Sequence, residues 1–130
     1  MTEKQGICPS MGRPMGPYSP AITFGDLVFV SGQGPLDPET AKICGETIEE
    51  QTELTLQNVK RILEEAGCTL NDCLKSTVHL KDIHDFDRFN KVYQQFFEPP
   101  RPARTTVQSV LWGGILVEID VIAARGASPT

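Results

Sequence analysis

The chain has no basic run: 12 Lys and Arg stand against 17 Asp and Glu in 130 residues, giving a net charge of −5 and a pI near 5.0. Phosphate contacts need clustered cations, so a nucleic acid is not an expected partner. An anionic small substrate would need a local arginine acting against the field of the whole molecule. No segment reaches the length of a membrane span, and Met1-Thr2-Glu3-Lys4-Gln5-Gly6 lacks the apolar core of a secretory signal. The expectation is a cytosolic protein with no membrane partner. Cys8, Cys44, Cys68 and Cys73 form no Cys-x-x-Cys pair, which excludes a zinc ribbon or a redox dithiol and leaves four free thiols in a reducing compartment. Repeats and low-complexity stretches are absent too. What is there, 39% hydrophobic and 22% charged residues, is the composition of a soluble globular protein. The expectation is one domain over residues 1–130, long enough to bury roughly two-thirds of its unfolded surface without staples.

Ile22-Thr23-Phe24 and Leu27-Val28-Phe29-Val30 are β-prone runs separated by Gly25-Asp26, which suits a type II′ hairpin. The second run is apolar on both sides and ends, on this reading, at Ser31-Gly32-Gln33-Gly34-Pro35. Thr47-Ile48-Glu49-Glu50 has the form of a capping box, and Ile48, Thr52, Thr55, Val59, Ile62, Leu63 and Ala66 follow at helical spacing up to Gly67. Leu74 to Leu80 alternates as a strand, with Leu74, Ser76, Val78 and Leu80 on one side and Lys75, Thr77, His79 and Lys81 on a wetter one. A second helix, capped by Asp82 or Asp85, carries Phe86, Phe89, Tyr93, Phe96 and Phe97 and stops at Pro99-Pro100. Two last strands, Arg104 to Leu111 and Ile115 to Ala124, join around Trp112-Gly113-Gly114, and the small-residue termini are expected to be loose.

The order β-β-α-β-α-β-β implies an α+β mixed sheet with two helices on one face. Because Leu27–Val30 and Ile115–Ala124 are apolar on both sides, the helix-free face is expected to pack against another copy of the chain.

The last strand sets Glu118 and Asp120 on one face beside Leu116 and Ile122. Burial there would raise at least one carboxylate pKa, as a general acid or base near neutrality requires, whereas an edge strand would leave both acids solvated. Arg104 opens the neighbouring strand with Thr106 and Gln108 on its face. Its guanidinium can fork onto a substrate carboxylate, or form a salt bridge to Glu118 or Asp120. Asn90 falls on the apolar stripe of its helix, where a buried amide needs a partner such as loop backbone. Gly16-Pro17-Tyr18-Ser19-Pro20 is a rigid turn-rich segment presenting one phenol, and Ser31-Gly32-Gln33-Gly34 allows close backbone approach to a ligand but lacks the rest of a phosphate-binding fingerprint. His79 and His84 near Asp82, Asp85 and Asp87 make a poor ligand set, one in a strand and one beside a helix start, so no metal is expected. No Ser/His/Asp or Cys/His nucleophile is defensible.

Together, Gly16-Pro17-Tyr18-Ser19-Pro20-Ala21, Ser31-Gly32-Gln33, Asn58-Val59, Asn90 with Tyr93, Pro102-Ala103-Arg104 and Glu118-Ile119-Asp120-Val121-Ile122-Ala123 strongly resemble the Rid family of reactive-intermediate (YjgF, enamine/imine) deaminases. The resemblance runs from Tyr18 to Ala124 in order and spacing. It implies a chorismate-mutase-like fold and a homotrimer with a central barrel and a site in each cleft between subunits. It implies a hydrolase of the 2-iminobutanoate/2-iminopropanoate deaminase kind, converting 2-aminoacrylate-type enamine and imine acids to 2-keto acids and ammonia without a cofactor. By position it implies that Glu118 activates water, that Arg104 binds the substrate carboxylate, that Tyr18 belongs to the catalytic group, and that Ser31, Gly32, Asn90 and Thr106 line or support the pocket. Thr106 stands where many members carry cysteine, which argues against thiol chemistry there. Leu111-Trp112-Gly113-Gly114 departs from the Leu-Pro-Lys type frequent in the family, a departure that falls on the pocket rim. The competing functions are an endoribonuclease or translation inhibitor, which the negative charge disfavours, and a non-catalytic binder of small carboxylates, which would need Arg104 but not Glu118.

Overall fold

In the computed structural model, residues 2–9 and 14–129 are described. They form β1 (Gln5–Ile7), β2 (Ala21–Phe24), β3 (Leu27–Gln33), α1 (Ile48–Glu65), β4 (Cys73–Leu80), α2 (Phe86–Phe96), β5 (Ala103–Gln108) and β6 (Val117–Ala124). The six strands make one mixed sheet in the order β1-β2-β3-β6-β4-β5, antiparallel except for the parallel pair β4–β5. The α+β architecture expected from the sequence is the observed one.

Local chemistry sets most of these elements. The hairpin β2–β3 turns on Gly25 at φ +59 with Asp26 outside the positive-φ region, the pattern of a type II′ turn. Thr47 caps α1: its hydroxyl accepts from the Glu50 amide at 3.2 Å, and Glu50 Oε1 accepts from the Thr47 amide at 3.3 Å. The stripe read from the sequence of α1 is buried throughout, joined by Leu56, Gln51 and Asn58. It packs with Phe89 and Tyr93 of α2 against Val28, Val30, Val78, Val117, Ile119, Val121 and Ala123 of the sheet, one core on one face. All four cysteines are free, and burial pushes the Cys73 thiol up to about 12. No helix among the described residues is long and apolar enough to cross a membrane.

Several details differ from the sequence reading. Residues 5–7, within a terminus expected to be loose, pair with β2. The ladder of β3 runs on to Gln33 through a register shift between Val30 and Gln33, because a bulge absorbs the extra residue where Gly32 lies. A second shift, between Cys73 and Lys75, turns Leu74 out into solvent, so it does not share the buried side of Ser76, Val78 and Leu80. The last strands are shorter than expected, and the residues between them form a short 3₁₀ turn at Trp112–Gly114.

The helix-free face is uncovered in the single chain. Phe24, Leu27 and Phe29 are exposed on it, as is Val107, in register with His79 and hence with Glu118.

Candidate active site

β6 alternates cleanly: Val117, Ile119, Val121 and Ala123 face the helices and are buried, while Glu118 and Asp120 face away and are partly exposed. Glu118 lies against the bulge of β3. A Cβ on Gly32 would stand 2.9 Å from Glu118 Cδ, so a side chain there would push the carboxylate out of this position. Ser31 holds the adjoining segment: its hydroxyl donates to Ser19 O at 2.6 Å, and its amide donates to Pro20 O at 2.9 Å. These bonds dock Tyr18 beside the strand. Tyr18, Gly32, Leu36, Arg61, Trp112 and Glu118 are among the residues that line a cavity of about 680 Å³, within the range of ligand pockets. One wall is set from α1, where the Asn58 side-chain amide donates to both Gly34 O and Leu36 O at 2.9 Å.

Arg104, Asn90 and Thr106 lie elsewhere. Arg104 pairs in register with Ser76 and Thr106 with Val78, both on the helix side of the sheet. The Arg104 guanidinium stands over Tyr93 (4.8 Å to the ring centre), Phe86 (5.5 Å) and Phe89 (5.6 Å). Three rings of α2 thereby hold the cation in place. Tyr93 is anchored in turn by its 2.7 Å hydrogen bond to Ser76, and burial raises its phenol pKa. Asn90 Oδ1 and Thr106 Oγ1 are buried without a hydrogen-bond partner among the described residues. The loop-backbone partner expected for Asn90 is therefore absent there.

The expectation that the Arg104 strand neighbours the Glu118 strand is thus corrected: β4 lies between β5 and β6, and the two side chains project from opposite faces. Nor does Arg104 bridge to Glu118 or Asp120. Among the described residues the ion pairs are those of His84 with Asp82 and of Arg88 with Glu49 and Asp85. The fold brings Tyr18, Gly32 and Glu118 to one cavity, with Ser31 bracing it. It brings Arg104, Asn90 and Thr106 to a second patch.

The carboxylate whose pKa burial raises is Asp120, an effect that His79 and Lys75 oppose. His79 Nδ1 shares a 2.7 Å hydrogen bond with Ser109 Oγ, whereas His84 pairs with Asp82 at the entry to α2, so the two histidines do not converge. Arg61 and Asn58 were not singled out as site residues from the sequence. The available signal was an asparagine inside the apolar stripe of α1 with a cation one turn on.

A family model for endoribonuclease L-PSP matches residues 10–125 of the chain. The chain belongs to the YjgF/Rid family. Among its relatives, a RutC family protein of Pyrococcus abyssi is 49% identical over 114 residues, covering 87% of this chain and 90% of that protein. The chloroplastic Reactive Intermediate Deaminase A of Arabidopsis thaliana is 42% identical over 110 residues, 84% of this chain and 59% of that one. The crystal structure of Escherichia coli TdcF with bound serine superposes with a TM-score of 0.81 at 37% identity, covering 87% and 91% of the two chains. Rid relatives thus share the mixed sheet with two helices described above and include one named as a deaminase.

Proposed function

We propose that this protein hydrolyses 2-enamine and 2-imine acids of the 2-aminoacrylate type to 2-keto acids and ammonia in the cytosol. It does so as a homotrimer in which each cleft joins the Glu118 cavity of one copy to the Arg104 patch of the next. The observation that carries this reading is the division of the site. One face offers a carboxylate in a cavity, the other an arginine clamped over aromatic rings beside two unpartnered buried polar atoms. An exposed apolar face joins them to a need for a second copy. The serine bound to TdcF, an amino acid with an α-carboxylate, and the deaminase name of the Arabidopsis relative fit the same substrate class.

In this reading Arg104 of a neighbouring copy grips the α-carboxylate through two parallel hydrogen bonds. Asn90 and Thr106 supply an acceptor and a hydroxyl beside it. The enamine tautomerises to the imine, whose carbon is electrophilic. Glu118 takes a proton from water as the water oxygen bonds that carbon, and returns it to the nitrogen as the C=N π bond opens. The carbinolamine then collapses to the C=O product, its hydroxyl proton passing through Glu118 to the nitrogen as the C–N bond breaks and ammonia leaves. The reaction balances with water alone. Imines hydrolyse slowly unaided, so orientation and one base account for the rate.

The test generates imines in situ from a panel of amino acids with an oxidase or a dehydratase. Keto-acid release is compared with and without the protein. The expected result is faster release with the protein for at least one imine. No acceleration across the panel, with RNA cleavage surviving removal of contaminating nucleases and vanishing in Arg104 or Glu118 variants, would assign the protein to RNA instead.

A further inference from the structure

Arg61 is the single lysine or arginine among the described residues lining the Glu118 cavity. It projects from α1, one turn after Asn58. Its only hydrogen bond among the described residues runs from Nη1 to Asn58 Oδ1 at 2.8 Å, and Nε is buried with no partner. Asn58 in turn holds Gly34 and Leu36, so the guanidinium is fixed to a braced wall. Arg61 is half-buried and arginine remains charged in proteins, and a charge drawn partly out of water is best placed beside an anion.

No acid of the cavity fills that place. Asp37 directs Oδ1 to the amides of Glu39 (2.8 Å) and Thr40 (3.0 Å), and these backbone bonds, Thr40 foremost, hold its pKa below the usual carboxylate value. Glu39 is exposed, and no carboxylate of the described residues comes within salt-bridge distance of Arg61.

We propose that Arg61 binds a second, distal anionic group of the substrate, so that the preferred imines derive from amino acids whose side chains end in a carboxylate. This rests on the reaction proposed above. Arg104 of the neighbouring copy holds the α-carboxylate, and a second guanidinium in the same cleft matches a second carboxylate. The cavity of about 680 Å³ has room beyond a three-carbon acid.

Binding separates this proposal from catalysis. Calorimetric titration of the assembled protein with 2-oxoglutarate and 2-oxobutanoate, stable keto acids with and without the distal carboxylate, should show at least about tenfold tighter binding of 2-oxoglutarate. Arg61→Gln should abolish that preference and Arg61→Lys should restore part of it, since lysine keeps the charge without the fork. In kinetics, Arg61→Gln should lower kcat/KM for the glutamate-derived imine about tenfold more than for the alanine-derived one. An unaltered preference in Arg61→Gln, no preference in the parent, or equal loss of both keto acids would overturn the distal role. If the 2-oxoglutarate preference tracks Arg61 while no imine is hydrolysed, the distal site stands and the proposed reaction falls.

Discussion

Glu118→Gln is expected to lower turnover by roughly two orders of magnitude or more, the usual scale for a lost general base. The exchange keeps the side-chain volume beside Gly32, where Glu118 packs close against the β3 backbone. A 2-keto acid should still bind, because the proposed site assigns carboxylate capture to Arg104. Asp120 provides the contrast, since it shares the strand face but lies outside the cavity lining. Burial raises its pKa, so its ionised form opposes folding as pH rises through that raised value. Asp120→Asn should therefore turn over like the parent and, above the carboxylate range, melt no lower. Parallel kinetics, keto-acid titrations and melting curves of the two variants check both statements. An active Glu118→Gln, or an Asp120→Asn that folds and binds but does not turn over, would move the base off Glu118.

Arg104→Lys is expected to lose about 10- to 100-fold in kcat/KM, the scale of a charge-assisted hydrogen bond left imperfect at a carboxylate. Lysine retains the charge but presents a point donor, without the delocalised planar guanidinium that stands near the Tyr93, Phe86 and Phe89 rings. The variant should elute at the same size as the parent, because Arg104 makes no ion pair to hold the fold. Activity equal to the parent would remove carboxylate capture from this residue.

The sequence was legible wherever structure is decided within a few residues. Gly25 needs only its own turn, and Thr47 with Glu50 needs only the first turn of α1. The alternation that separates Glu118 from Ile119 is likewise a property of one strand. Legibility failed where the answer depends on distant pairing. The place of β4 between β5 and β6 follows from a crossover through α2, and without it Arg104 and Glu118 look like neighbours. The two register shifts had the same origin. Neither the Leu74 turnout nor the run of β3 to Gln33 has a local signature, since each arises from what lies opposite on β6. Arg61 escaped notice because a cation on a helix is ordinarily solvated, and only the fold shows which wall it joins.

The division of the site between copies is the central claim, and mixing two impaired variants tests it most directly. Glu118→Gln and Arg104→Lys chains, denatured together in equal amounts and refolded, should assemble trimers in which a cleft between an intact Glu118 and an intact Arg104 arises about one time in four, by symmetry. The account predicts recovery of about a quarter of parental activity from two preparations that each retain about a tenth of it or less alone. Activity no higher than the mean of the separate variants, in trimers shown to be mixed, would place both residues in the same copy's site and contradict it.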